Sequence, residues 1–163
     1  MAEAKNLNDL LYETLKDIYF AEKQILTALP KMAEAAQSAD LKQAFETHKG
    51  ETETHVARLE EVFELIGKPA QQKTCNAILG IIEEGKEVIV EFDGTDALDA
   101  GLIAGAQAVE HYEISRYGTM VSWAKRLGMD EVAELLAQTL DEEETTDELL
   151  SEIAEAEVNA EAA

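Results

Sequence analysis

The sequence predicts an all-α fold: an antiparallel four-helix bundle in which a long crossover, containing an extra short helix, joins the second long helix to the third. Three observations carry that expectation. Only 2 prolines and 9 glycines interrupt 163 residues rich in Ala, Glu and Leu, a composition that favours helices over sheets. Four long stretches repeat apolar residues at alternating spacings of four and three, the seam of a helix packed in a bundle. Two of the connections are short turns, and one is too long for a hairpin.

The first long helix spans about Leu7 to Ala36, with its seam on Leu11, Leu15, Ile18, Glu22, Ile25, Leu29, Met32 and Ala36. Pro30 removes one N–H inside it and predicts a kink or a local break. "AAQSAD" forms a turn in which Ser38 or Asp40 caps the second helix. That helix runs to Ile66 and ends at Gly67, with Pro69 two residues later. Its seam reads Leu41, Phe45, His48, Thr52, His55, Leu59, Val62 and Ile66, and Glu51 lies between the two histidines on the same face. Between Lys68 and Gly94, "CNAILGIIEEGKEVIVEF" predicts a shorter helix, although Val88–Phe92 also reads as a strand.

Thr95 or Asp96 caps the third long helix, whose seam is Ile103, Ala106, Glu110, Glu113, Tyr117, Met120, Ala124 and Leu127. Gly101 and Gly105 allow close helix packing. Gly128 ends this helix, and the fourth presents Met129, Val132, Leu136, Leu140, Glu143, Asp147, Leu150 and Ala154. The tail "EAEVNAEAA" is expected to fray. Residues 1–163, with a core over about 7–157, read as a single domain of ferritin-like connectivity.

Charge and cysteine content narrow the function classes. A formal charge of −22 argues against electrostatic binding to nucleic acid or anionic membranes. No run of about 18 apolar residues is present to span a bilayer. The first residues lack the basic start and apolar run of a signal peptide. Cys75 is the single cysteine; it reads as a small buried hydrophobe in a reducing, cytoplasmic setting.

The acids on the seams point to chemistry. In an antiparallel pair, residues equidistant from the turn share a height. With the last turn at Gly128–Met129, Glu110 mirrors Asp147, and Glu113 comes within about one residue of Glu143. With the first turn near Gln37–Ser38, Glu22 mirrors a position close to Glu53, between Glu51 and His55. The inward carboxylates therefore converge at mid-bundle. Buried like charges repel and are penalised by desolvation, so they must take up protons, pair with cations or bind metal. The seams supply no Lys or Arg, and a pair of divalent cations offsets the charge directly. Oxygen ligands with one or two imidazoles suit iron or manganese better than the thiolate sites of structural zinc.

The segments "YFAEKQILTALPKMA", "HKGETETHVARLEEVFELIG", "LIAGAQAVEHYEISRYGT" and "TLDEEETTDELL" resemble the YciE/YciF family of bacterial stress-associated ferritin-like proteins, from Leu7 to about Ile153. The resemblance implies a four-helix bundle with a crossover helix, a di-iron or di-manganese-type site, and a homodimer; zinc is read as a substitute for either metal. Carried onto this chain, it implies ligands at Glu22, Glu51, Glu110, Glu113 and Glu143, with Glu110 and Glu113 paired as in rubrerythrin and with Glu51 and Glu143 as the bridging pair. Helix two carries Glu51-x-x-x-His55 and helix four carries Asp147, where the general pattern has Glu-x-x-His. Height favours His55, His48 shares its face, and the choice between them is open on sequence. The departure makes the expected site more anionic. The resemblance defines no reaction: oxygen or peroxide chemistry and a non-catalytic helical stress protein are both compatible with it, and His111 is set aside because it points away from the seam.

Overall fold

A computed structural model describes residues 4–163 of the chain, so Met1–Glu3 of the expected single domain lie outside the described residues. Helix α1 spans Leu7–Ala35 and starts with a capping box. The Asn6 side chain accepts from the amides of Asn8 and Asp9, while the Asp9 carboxylate accepts from the Asn6 amide. The helix continues through Pro30 without the expected break. Helix α2 spans Ala39–Leu65 with Ser38, not Asp40, as its cap. Helix α3 spans Asn76–Glu91 and is capped by the Cys75 sulfur, which accepts from the Ile78 amide. Val88–Glu91 is helical, and there is no strand among the described residues.

Helix α4 spans Leu98–Arg126 and begins with no side-chain cap. The Thr95 hydroxyl instead donates to the Phe92 carbonyl within the preceding turn. Helix α5 spans Asp130–Ile153. A π-helical stretch, Ala154–Val158, and a short terminal turn follow it. Within the segment expected to fray the chain stays helical through Glu161, and Val158 packs into the core while its neighbours are exposed. Gly67 and Gly128 stand at φ values of 66° and 72°, the left-handed conformation that terminates α2 and α4.

Helices α1 and α2 form one hairpin and α4 and α5 the other; α2 packs on α5 and α1 on α4, closing a four-helix ring. The crossover carries α3 along the outside, over α4 and α1. Gly101 explains how closely α3 lies on α4: a Cβ there would come within 2.5 Å of Val88 Cγ1.

One tie was not visible in the sequence. Asp99 is 6 % exposed, and its two carboxylate oxygens accept from the backbone amides of Gln37 and Ser38 at 2.8 and 2.6 Å. A residue of α4 thus satisfies the amides that lead into α2 and locks the two hairpins together. Asp99→Ala should cost about 2 kcal/mol, the scale of losing charge-assisted hydrogen bonds to a buried carboxylate. The melting temperature should then fall by about 4–8 °C in a thermal unfolding scan. An unchanged melting temperature would show that this turn is held by other contacts.

Candidate metal centre

The inward positions of four helices supply one buried polar cluster at mid-bundle. Glu22 comes from α1, His48 and His55 from α2, Glu110 and Glu113 from α4, and Glu143 from α5, all 3 % exposed or less. They sort into two groups. His48, Glu110, Glu113 and Glu143 form one, and Glu22, His55 and Glu143 form the other; within each group one ligand-type atom per residue lies within 4.8 Å of the rest.

Glu143 belongs to both groups because its two oxygens face different imidazoles. Oε2 lies 3.4 Å from His48 Nε2, and Oε1 lies 3.0 Å from His55 Nδ1. Glu110 Oε1 stands 3.2 Å from His48 Nε2, and Glu22 Oε1 stands 3.5 Å from His55 Nδ1. The imidazole rings sit edge to face with centroids 6.0 Å apart.

Each histidine is held from its far side by a carboxylate. Glu51 Oε2 lies 3.1 Å from His48 Nδ1, and the Thr146 hydroxyl lies 3.2 Å from the same nitrogen. Glu142 Oε2 lies 2.7 Å from His55 Nε2. Glu142 is itself gripped by both terminal nitrogens of Arg58, which also donates to the Thr139 hydroxyl at 2.6 Å. A carboxylate that accepts from the outer N–H selects the tautomer whose inner nitrogen carries a lone pair. Once deprotonated, both imidazoles therefore turn an electron pair into the cluster.

The electrostatics of the metal-free cluster match this crowding. Burial raises the carboxyl pKa of Glu113 well above its ordinary value, and the neighbouring Glu143, Glu22 and Glu110 add to it. Burial also raises Glu110, against the opposing pull of His48. At His48 burial disfavours the charge, but the Glu110 and Glu51 carboxylates outweigh it and raise the imidazole well above its usual range. His55 behaves alike: burial opposes the charge, and Glu143 and Glu22 carry its pKa up to about 10. Glu143 moves down, because His55 and its other partners outweigh burial. The Tyr117 hydroxyl donates to Glu22 Oε1. Burial and the charges of Glu22 and Glu113 raise its pKa and keep it protonated as that donor.

Both histidines left open by the sequence reach the cluster. Glu51 does not turn inward; its side chain is 39 % exposed, and Thr52 takes the core position beside it. Asp147 lies on the α4–α5 surface, accepting from Gln107 and contacting the exposed His111. The inward stripe of α5 runs Val132, Leu136, Thr139, Glu143, Thr146, Leu150, so Thr139 and Thr146 face the core where Leu140 and Asp147 were expected. The remaining set holds four carboxylates and two imidazoles, which matches the charge of two divalent cations and removes the expected anionic excess.

Arg58 and Glu142 escaped the sequence reading as a unit. The available signal was Arg58 one turn after His55, a cation beside an imidazole that must not be protonated to bind metal. Glu51→Gln and Glu142→Gln should each weaken metal affinity by about 10–100-fold without abolishing it. Competition with a coloured chelator measures this, and unaltered affinity in both variants would show that the outer carboxylates do not orient the rings.

No helix is long and apolar enough to cross a membrane among the described residues. The family described as "Domain of unknown function (DUF892)" matches residues 6–163. Protein YciF of Escherichia coli (strain K12) is 42 % identical over 159 residues, covering 97 % of this chain and 96 % of YciF. The crystal structure of the E. coli stress protein YciF superposes with a TM-score of 0.91 at 41 % identity, covering 96 % of this chain and 99 % of that one. YcfI from Rhodopseudomonas palustris gives a TM-score of 0.89 at 43 % identity, covering 92 % and 96 % of the two chains. With a match along nearly its whole length and this level of identity, the chain belongs to the DUF892 family, the YciE/YciF family that its motifs resemble.

Proposed function

We propose that this protein binds two divalent metal ions, iron or manganese, in the bundle core and serves a cytoplasmic stress response as a homodimer, using oxygen or peroxide chemistry. One observation carries the reading. Among the described residues, the buried side-chain atoms without a hydrogen-bond partner belong to Glu22, His48, His55, Glu110, Glu113 and Glu143 alone. Orphaned buried polar atoms are costly and rare. Here they coincide with two groups of ligand geometry that share a carboxylate.

His48, Glu110 and Glu113 would hold one ion, Glu22 and His55 the other, and Glu143 both. Zinc would occupy the same donors as a redox-silent substitute. Bound iron or manganese supplies one-electron chemistry toward oxygen or peroxide. The chain's residues set the conditions for it. Tyr117 fixes one oxygen of Glu22 and leaves Oε2 free to ligate. Glu51 and the Arg58–Glu142 pair hold the imidazoles in their ligating tautomers. Burial excludes bulk water and strengthens each electrostatic contact. The stress role is supported by the likeness to E. coli YciF, which is described as a stress protein.

Anaerobic protein loaded with ferrous ion and then exposed to oxygen or peroxide tests the chemistry. Rapid oxidation or peroxide turnover is expected, lost in Glu110→Ala/Glu143→Ala. Tight metal binding with neither reaction would assign a non-catalytic binding role instead.

A further inference from the structure

We propose that the cavity lined by α1, α2, α3, α4 and α5 binds the alkyl chain of a short carboxylic acid anion and presents the end of that chain to the metal centre. The second half of this statement rests on the two-metal reading; the binding half does not. The cavity measures about 130 Å³, close to the ~150 Å³ of an engineered apolar cavity that accepts benzene. It therefore suits an aliphatic segment of about six carbons.

Its two ends differ in chemistry. Ile25 and Ala28 from α1, Ile82 and Ile89 from α3 and Val109 from α4 form apolar walls. Gly85 and Gly105 also line it, and the helices come close there, a Cβ on Gly105 lying 3.9 Å from Gly85 Cα. The inner end is closed by His48 and Glu110, 3 % and 2 % exposed, whose Nε2 and Oε2 have no hydrogen-bond partner. Those two residues are also members of the metal cluster, so cavity and cluster share a wall.

The lining also includes two exposed lysines, Lys31 from α1 and Lys86 from α3, on its solvent-facing side. Glu110 is the one acidic side chain among the lining residues, and it is buried. In a chain of 35 acidic and 13 basic residues, a rim with two lysines and no lining acid selects an anionic head group. Lys86 lies 3.2 Å from Glu83, but both side chains are more than half exposed, and such pairs bind weakly enough to be displaced. A carboxylate at the lysines sends its alkyl chain inward along the apolar walls, so its terminal methyl meets the His48–Glu110 end.

The test is a calorimetric or NMR titration of metal-free protein with hexanoate, octanoate and hexan-1-ol. Hexanoate should bind saturably in roughly the millimolar range. Affinity should grow about fourfold per added methylene until the cavity is full. Hexan-1-ol should bind about 2–5-fold more weakly than hexanoate, and Lys31→Gln/Lys86→Gln should erase that difference. Ala28→Phe should weaken hexanoate at least about tenfold, and Ile89→Ala, which enlarges the cavity, should shift preference toward octanoate.

Failure of all three probes to saturate, or wild-type affinity in a folded Ala28→Phe, overturns the site. Equal affinity for alcohol and acid overturns the head-group assignment. Metal content measured on the same proteins separates the two readings: wild type that binds hexanoate but no metal keeps the cavity and loses the metal centre. In manganese-loaded protein, paramagnetic broadening should be strongest at the hexanoate C6 methyl, and stronger broadening at C2 reverses the proposed orientation.

Discussion

Glu143→Gln is expected to empty the proposed metal centre. Glu143 is the residue common to both ligand groups, with one oxygen toward each imidazole. The amide keeps the side chain's size but removes its negative charge and leaves one oxygen where two are needed. On the two-metal reading, both ions would lose a charged ligand inside a low-dielectric core, where water cannot replace it. Affinity should fall by more than about 100-fold, beyond the range for the outer carboxylates Glu51 and Glu142. Metal analysis after dialysis should show two ions per chain in the wild type and few in the variant. Circular dichroism should show the same helix content in both, because the packing of α5 is unchanged. Equal metal content would remove Glu143 from its bridging role.

The second large effect concerns pH. In the metal-free protein His55 titrates at about 10, above its ordinary 6.5, and His48 is also raised. A raised imidazole contributes stability that is complete below about 6.5 and is lost as pH rises through its folded value. Glu110 and Glu113 are raised as well. As pH climbs above their ordinary 4.5 the unfolded chain ionises them first, which draws the equilibrium toward unfolding. Glu143 has the opposite shift, and its stabilisation is complete above about 4.5, so it adds no slope in this window.

The native state thus binds more protons than the unfolded state between about pH 6.5 and 10, and stability must fall with pH. The loss should be on the order of a few kcal/mol, a drop in melting temperature on the order of 10 °C. His55→Gln should flatten the slope, which separates this cluster from surface titration. Metal ions require the same ligands deprotonated and displace those protons. Adding manganese should raise the melting temperature and remove most of the pH slope. At about 100 times the dissociation constant the gain is about 2.7 kcal/mol. A metal-free melting temperature that holds level or rises from pH 6.5 to 10 would contradict the protonation pattern.

The bundle was legible because each long helix writes its packing into its own period. On α2 and α4 every seam residue read from sequence, polar ones included, is buried, apart from Ile66 and Leu127, which are only partly buried. On α5 two seam positions after Leu136, Leu140 and Asp147, are only partly buried, while Glu143, Leu150 and Ala154 lie inward as expected. Leu140 is more apolar than Thr139, but Thr139 is buried because Arg58 on α2 satisfies its hydroxyl. That information lies on another helix. Asp147 was likewise read inward where its neighbour Thr146 takes the core position, and its carboxylate accepts from Gln107 instead. Glu51 was misplaced by a related ambiguity: beside Thr52 it lies close enough to the seam to look inward, and it reaches His48 from outside. The tie through Asp99 was hidden for a third reason, since a carboxylate that caps the start of a different helix leaves no periodic trace in its own.

The most direct test of the central claim is a crystal structure of manganese- or iron-loaded protein with anomalous data at the metal edge. Two peaks are expected in the bundle core, one beside His48, Glu110 and Glu113 and one beside Glu22 and His55, with Glu143 bridging them. A core with no anomalous peak at saturating metal, or metal confined to the acidic surface, would contradict the two-metal centre.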